Sequence, residues 1–186
     1  MPPKFKITKE QIIESALDIV RKEGSGAINA RNVAKALGCS TQPVFSNFET
    51  MDKLRFAVAE RANELCEQYL KREVESGKYP PYKANGMAYT RFAKEERELF
   101  KLLYMFDRSK EAIPENEGLL VRMENTVQGN TGLDAQQAKL FHFEMWAFVH
   151  GIATMLATGY LDIPDELISK ILSDAYLGLR KQYGME

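Results

Sequence analysis

The chain has 186 residues, with 25 Lys and Arg against 26 Asp and Glu, and a formal net charge of −1. This near-balance excludes a protein whose whole surface binds polyanions nonspecifically. Two cysteines, Cys39 and Cys66, are too few to indicate a disulfide framework, and we expect Cys39 to be a small buried residue in a turn rather than a redox sensor.

The first helix is predicted to begin after Thr8. Thr8 with Gln11 three residues later has the pattern of a capping box, in which each side chain accepts a hydrogen bond from the other residue's backbone N–H. Apolar residues then recur with the spacing of one buried helical face, at Ile12, Ile13, Ala16, Leu17, Ile19 and Val20. Gly24 is predicted to end this helix.

Two short helices are predicted to follow. Asn29 can cap the second helix, whose buried stripe is Val33, Ala34 and Leu37 and which Gly38 ends. Ser40 is predicted to cap a third helix from Thr41 to about Asn47. Pro43 is tolerable there because first-turn N–H groups have no intrahelical partner. Two short helices joined by a tight turn containing glycine are typical of a helix-turn-helix, in which the second helix enters the major groove of DNA.

The predicted third helix has a polar surface that suits base reading. Glutamine and asparagine can pair bidentately with adenine, and serine or threonine can reach bases or phosphates, so the candidates are Thr41, Gln42, Ser46 and Asn47. Val44 and Phe48 are predicted to point inward. Phe45 either packs inward or lies against the sugar-phosphate backbone. The alternative for the whole polar face is that it is simply solvated.

The remainder of the chain stays helical, with no internal repeat. A long helix capped by Thr50 is predicted to run to about Ser76, where Gly77 and the Pro80-Pro81 pair break it. The next helices are predicted at 82–94, 95–106, from Pro114 or Glu115 to about Gly129, 134–158 and from 162–164 to about Tyr183. The predicted fold class is all-α with about nine helices. A helix-turn-helix domain over residues 1–55 precedes a second helical domain over residues 56–186.

Charge divides unevenly between these two parts. Residues 1–55 hold nine basic and six acidic residues, hence a net charge of +3, which leaves −4 for the remainder. A basic end on an acidic body would orient the protein on double-stranded DNA. Lys4 and Lys6 form either a short arm to phosphates or a frayed terminus.

The segment from Thr8 to Leu54 resembles the DNA-binding domain of the TetR/AcrR family of transcriptional regulators. The matching residues are Ala16, Glu23-Gly24, Arg31, Val33-Ala34, Leu37-Gly38, Ser40, Phe45, Phe48 and Leu54. The resemblance and the polar surface of the third helix together imply a set of DNA-binding residues. The predicted DNA-binding set is Arg31, Ser40, Thr41, Gln42, Pro43, Phe45, Ser46, Asn47 and Lys53. The chain departs from the family at Phe45, where tyrosine is usual, and at Met51, where lysine is usual.

The predicted eighth helix carries a second pattern. Trp146, His150 and Gly151 resemble the signature of the WHG-type C-terminal domain of some TetR/AcrR regulators.

The predicted eighth helix has small residues on one side, and the last helix has an apolar stripe. Both could pair with a second copy in a four-helix bundle, so the predicted homodimer interface is Ala147, Gly151, Thr154, Thr158, Ile168, Ile171, Leu172, Ala175 and Leu179. The alternative is that both stripes pack only within one chain.

The middle helices are rich in methionine and aromatic residues, and in the family this region encloses a pocket for a small-molecule effector. The resemblance therefore implies that residues 56–186 form a helical ligand-binding and dimerisation domain. Such side chains suit an adaptable apolar cavity, although an ordinary core uses them too. The candidate pocket residues, which include the polar groups among them, are Tyr89, Phe92, Tyr104, Met123, His142, Trp146 and His150.

No sequence motif indicates catalysis, so we expect no enzyme, no catalytic residue, no metal site and no cofactor. His142 and His150 lie about 80° apart on one helix, which is a poor metal-binding arrangement.

The start of the chain lacks the apolar core of a signal peptide, and no uninterrupted apolar run approaches transmembrane length, so a cytoplasmic location without membrane contact is expected. The predicted function is a ligand-responsive repressor that binds a palindromic operator as a dimer. The alternative is a helical ligand-binding or protein-interaction dimer that has lost specific DNA binding.

Overall fold

The computed structural model describes residues 7–106 and 117–185. Within these ranges the chain forms nine α-helices and no strand: α1 Lys9–Glu23, α2 Ala30–Ala36, α3 Gln42–Asn47, α4 Met51–Glu75, α5 Pro81–Glu95, α6 Arg97–Tyr104, α7 Glu117–Thr131, α8 Ala135–Ala157 and α9 Asp165–Gln182. The predicted all-α fold is therefore confirmed. Lys4, Lys6 and the predicted start of the seventh helix near Pro114 lie outside the described residues.

Local side-chain chemistry sets several helix ends as predicted. The Gln11 amide donates to Thr8 Oγ1 at 3.2 Å, and the Thr8 amide donates to Gln11 Oε1 at 2.9 Å. Asn29 caps α2 by accepting from the amide of Asn32 at 2.9 Å. Gly24 follows α1 with a φ of +82°, a backbone conformation that residues with a Cβ rarely adopt. These caps hold the two helices that precede α3.

The start of α3 differs from the prediction. The predicted cap was Ser40, but the helix begins at Gln42 and its N-cap position is Thr41, which makes no capping side-chain bond. Thr41 already has helical backbone angles, φ −71° and ψ −14°. A capping side chain normally requires an extended backbone to aim its oxygen at the first-turn amides. Pro43 in the first turn agrees with the prediction.

Two compact units make up the described chain, and each has its own core. The first unit comprises the chain up to Leu65 together with α6. Its core contains fully buried side chains from α1, α2, α3 and α4, among them Leu17, Val33, Val44 and Leu54. The predicted domain boundary at residue 55 therefore differs from the observed one. The observed first unit extends further along α4 and also includes α6.

The second unit comprises Cys66–Glu95 and the chain after residue 116. Helix α8 packs against α5, α7 and α9, and α5 also packs against α9. Phe92, Phe141, Leu156 and Ile168 are among its most buried side chains. This arrangement places α8 in the centre of the helices of this unit.

A charged network crosses the second unit. Glu73 is 5% exposed and is paired with Arg91, whose other terminal nitrogen lies 3.1 Å from Asp165. One turn further along α5, Lys94 lies 2.8 Å from Asp162 and donates to the carbonyl of Ile163 at 3.1 Å. These pairs join α4, α5 and the start of α9.

Helix α8 is long and apolar enough to cross a membrane by length and composition alone, with a mean hydropathy of 1.2 over its most apolar window. The helix nevertheless contains no uninterrupted apolar run of that length, as predicted, because Lys139 and Glu144 lie within it. The result is weak evidence for a membrane span, because a buried core helix passes the same test, and 44% of that window is buried inside the chain.

Candidate functional site

Helix α3 presents a mixed polar and aromatic face to solvent. Val44 is fully buried and Phe48 is 4% exposed, which confirms both predicted inward positions. Phe45 is 53% exposed, so of its two predicted orientations the outward one is observed. Gln42, Ser46 and Asn47 are also exposed. The buried side chains of Val44 and Phe48 therefore hold α3 so that its hydrogen-bonding side chains face solvent.

Two polar side chains of α3 bond to the helix itself. Ser46 Oγ donates to the carbonyl of Gln42 at 2.9 Å, and Asn47 Nδ2 donates to the carbonyl of Pro43 at 2.8 Å. Both bonds reach one turn back along the helix and are exposed. Serine and asparagine make such local bonds in competition with other partners, so these groups can exchange them for a base or a phosphate.

The remaining predicted contact residues flank α3. Arg31 is exposed on α2, Ser40 is exposed in the turn before α3, and Thr41 and Pro43 are half-buried. Lys53, on the first turn of α4, forms an exposed ion pair with Glu49. The hydrogen bond and charge of Lys53 hold the pKa of Glu49 below its usual value. The predicted DNA-binding set thus occupies α2, the turn before α3, α3 itself and the start of α4, all within the first unit.

The predicted pocket residues divide between the two units. Tyr104 belongs to α6 in the first unit, whereas Tyr89, Phe92, Met123, His142, Trp146 and His150 belong to the second. Phe92 is fully buried in the core. Within the described ranges, two open concavities lie between α1 and α2 and at the end of α9, and none of these residues lines either of them.

Two tyrosine–histidine pairs join α5 to α8. The Tyr82 hydroxyl lies 3.0 Å from His142 Nδ1, and the Tyr89 hydroxyl lies 2.9 Å from His150 Nδ1. Burial raises the pKa of both phenols far above the usual range and lowers the pKa of both imidazoles. Tyr82 was not among the predicted site residues, although its spacing of seven residues from Tyr89 nearly matches the eight between the histidines.

The predicted dimer surface needs one correction. Ile168 is 1% exposed and Leu172 is 3% exposed within the single chain, so neither side chain is available to a second copy. The reason is that the apolar stripe of α9 packs on α5 and α8. Ala175 and Leu179 also pack against a core cluster that includes Phe141. The exposed large apolar residues of α8 and α9 are Leu140, Phe143, Trp146, Phe148, Leu167 and Leu177.

Residues 82–174, half of the chain, match a family model described as the tetracyclin repressor-like C-terminal domain, and this segment contains Trp146, His150 and Gly151. No curated protein is similar enough in sequence to match. Among solved structures, a TetR-like transcriptional regulator from Rhodococcus sp. RHA1 is similar with a TM-score of 0.70 and 15% identity, covering 99% of each chain.

Two further solved structures show the same fold. A transcriptional regulator from Rhodococcus sp. Rha1 has a TM-score of 0.63 and 17% identity over 95% of this chain and 97% of its own. The multidrug binding protein EbrR, complexed with imidazole, has a TM-score of 0.58 and 16% identity over 93% and 95%. From the family match and the shared fold we conclude that the chain belongs to the TetR family of transcriptional regulators.

Proposed function

We propose that this regulator is a repressor that binds a palindromic operator as a homodimer and releases it when a small-molecule effector binds. The observation that carries the proposal is the exposed face of α3, which the buried side chains of Val44 and Phe48 hold outward. The proposed setting is the cytoplasm, where the operator DNA is accessible.

Each recognition helix would read one half-site. Gln42 and Asn47 can pair with adenine edges in the major groove, and Ser46 can reach a base or a phosphate. The exposed ring of Phe45 would lie against the sugar-phosphate backbone. Arg31, Ser40, Thr41 and Lys53 would hold the backbone on either side of the groove, with Pro43 in the first turn of the reading helix.

Dimerisation follows from the size of the reading unit. One six-residue recognition helix covers only a half-site, so a specific regulator of this type presents two copies. The surface that we assign to a second copy is the exposed side of α8 and α9. It includes Ala147, Gly151, Thr154, Thr158 and Ile171 from the predicted set, and Phe143, Leu167 and Leu177 among the observed exposed residues.

Effector binding would occur in the second unit. Met123, His142, Trp146 and His150 lie on α7 and α8, with Tyr89 and Phe92 on α5, and a ligand of mainly apolar character would separate these side chains. EbrR, which shares the fold, is described as a multidrug binding protein, which supports an adaptable pocket of this kind. An effector that prefers a state with a different separation of the two reading units would weaken operator binding by population shift.

The alternative is a helical ligand-binding or interaction dimer that no longer reads DNA. Two sequence features favour it. Phe45 lacks the hydroxyl with which a tyrosine would bond a phosphate, and Met51 stands where a lysine would contact the backbone.

Single substitutions on α3 distinguish the two functions. Gln42→Ala and Asn47→Ala are compared with Gln128→Ala, which removes an exposed amide from α7. For a regulator, each α3 variant loses about 1–3 kcal/mol of binding to a duplex selected by the wild type, with an unchanged melting temperature. Fluorescence anisotropy of the labelled duplex measures the binding affinity of each variant. Equal affinity for all three variants and the wild type would support the alternative.

A further inference from the structure

Lys9, the first residue of α1, lies against the end of α3, the proposed recognition helix. Its ammonium is 5.4 Å from the centroid of the Phe48 ring, which is within the range of a cation–π contact. Phe48 directly follows Asn47, the last residue of α3, and its amide donates to the carbonyl of Val44 at 2.9 Å. Lys9 is exposed, whereas Phe48 is 4% exposed. The contact therefore places a positive charge in solvent beside the C-terminal end of α3.

The backbone of Lys9 is held by the capping box at the start of α1. Thr8 Oγ1 accepts from the amide of Gln11 at 3.2 Å, and Gln11 Oε1 accepts from the amide of Thr8 at 2.9 Å. Ile12, in the same turn, is fully buried. The start of α1 is thus fixed on both sides of Lys9, so its side chain loses less conformational freedom on binding than one on a frayed terminus.

Lys9 forms no ion pair with a carboxylate in the part of the chain that the structure describes. Other cations between residues 7 and 65 are paired with carboxylates, namely Arg21, Lys53, Arg55 and Arg61. Lys22 and Lys35 form no such pair within the described ranges, but they line the concavity between α1 and α2 together with acidic residues of α1. Arg31 already belongs to the proposed DNA-binding set, which leaves Lys9 without an assigned function.

Glu10, the acidic neighbour of Lys9 in sequence, does not neutralise this charge. Consecutive residues on a helix do not face each other. The pKa of Glu10 is lowered first by a hydrogen bond from its own backbone amide and then by one from Thr8, and the charge of Lys9 is the smallest cause. An ammonium has three N–H donors, so Lys9 can contact the Phe48 ring and still donate to another acceptor.

We propose that Lys9 binds a DNA phosphate beside the C-terminal end of α3, with the ring of Phe48 holding its ammonium in place. The inference rests on the operator binding of the proposed function and adds a contact from α1 to those of α2, α3 and α4. Phosphates border the major groove on both sides of a helix that lies in it, and lysine contacts to them fix the register of the protein on the duplex.

Lys53 lies near the same end of α3 but is held differently. It is paired with Glu49, the residue after Phe48, and has to exchange or share that carboxylate before it neutralises a phosphate. The Phe48 ring carries no net charge, so Lys9 keeps its full charge while in contact with the ring. Lys9 therefore adds a complete positive charge to the surface around α3.

The test measures the affinity of the full chain for a labelled duplex selected by the wild type, by fluorescence anisotropy at several salt concentrations. Lys9→Met removes the charge and keeps a long apolar side chain. It is expected to lower the affinity about fivefold, equally for matched and mismatched duplexes. The slope of log affinity against log salt should fall in magnitude by about 1. Lys9→Arg keeps the charge and also stacks on aromatic rings, so it is expected to retain the wild-type slope.

Lys22→Met is the matched control. It removes a lysine from the same helix, about 20 Å further along the axis and on another face. It is expected to retain the wild-type slope, because its ammonium is too far from the end of α3 to reach the same phosphate. Equal circular dichroism spectra of the three variants exclude loss of fold as the cause of any difference.

A wild-type slope in Lys9→Met, or equal losses of slope in Lys9→Met and Lys22→Met, overturns the phosphate contact and leaves the proposed operator binding intact. A wild-type chain that selects no sequence from a random duplex pool contradicts the proposed function and the contact together.

Discussion

Arg21 on α1 and Glu96 at the start of α6 form a two-point ion pair. Arg21 Nε lies 2.9 Å from one carboxylate oxygen of Glu96, and a terminal nitrogen lies 2.8 Å from the other. The hydrogen bonds to Glu96 raise the pKa of the guanidinium. This pair holds α6 against the first helix of the reading unit, although the two residues are 75 positions apart in sequence.

The first prediction concerns this pair. Arg21→Met and Glu96→Gln are each expected to lower the free energy of unfolding by about 1 kcal/mol, because planar two-point pairs are stronger than ordinary surface pairs. Thermal unfolding would show a decrease of about 2–4 °C. Lys71→Met, which breaks an exposed pair with Glu75 at 3.8 Å, is the control and should change little. Fully additive effects in the double variant would show that the pair is not coupled.

The second prediction concerns the buried carboxylate of Glu73. Arg91→Met leaves Glu73 without its partner at 5% exposure, so it is expected to cost about 3 kcal/mol of unfolding free energy. Adding Glu73→Gln removes the uncompensated charge and should recover part of that loss. Denaturant unfolding of the two single variants and the double variant measures both effects. A double variant no more stable than Arg91→Met alone would contradict the role given to Glu73.

The third prediction separates the two sides of α3. Val44→Ala leaves a cavity in the core and is expected to lower the free energy of unfolding by about 2 kcal/mol. Phe45→Ala removes an exposed ring, so its stability should change by less than about 0.5 kcal/mol, while its affinity for the selected duplex falls. Calorimetry and anisotropy on both variants check this contrast.

Phe45→Tyr sharpens the same test. A hydroxyl at this exposed position can donate to a phosphate, and one such bond contributes about 1 kcal/mol, which is about a fivefold gain in affinity. An unchanged affinity in Phe45→Tyr would place the ring away from the backbone of the DNA.

The fourth prediction concerns Lys53. Because a phosphate contact carries no sequence information, Lys53→Met is expected to weaken binding equally to matched and mismatched duplexes. The slope of log affinity against log salt should fall in magnitude by about 1. Binding titrations at several salt concentrations measure it, with Lys71→Met as the control that retains the wild-type slope. A loss confined to one base position would mean that Lys53 reads sequence instead.

The sequence predicted those features that depend on neighbouring residues. The predicted capping box of α1 forms between Thr8 and Gln11. A second capping box, which was not predicted, forms at the start of α8 between Asp134 and Gln137. The inward positions of Val44 and Phe48 follow from helical spacing in the same way. At α3 the local rule failed, because the backbone of Thr41 is already helical and no side chain caps the helix.

Features that depend on distant residues were not predictable from spacing. The apolar stripe of α9 was recognised, but periodicity does not say what covers a stripe, and Ile168 and Leu172 turned out to be buried within the chain. The membership of α6 in the first unit depends on tertiary packing, which includes the pair between Arg21 and Glu96. Tyr82 and Tyr89 have helical spacing, yet only the fold brings them to His142 and His150.

The most direct measurement is selection of bound sequences from a random duplex pool by the full-length chain at near-physiological salt. A dimer with two reading helices predicts enrichment of a palindrome, with half-site centres one helical turn or a multiple of it apart, about 34–36 Å for one turn. Gln42→Ala should relax the preference at one position in each half. A pool without an enriched sequence, or one with a single unpaired half-site, would contradict the account of a dimeric sequence-specific repressor.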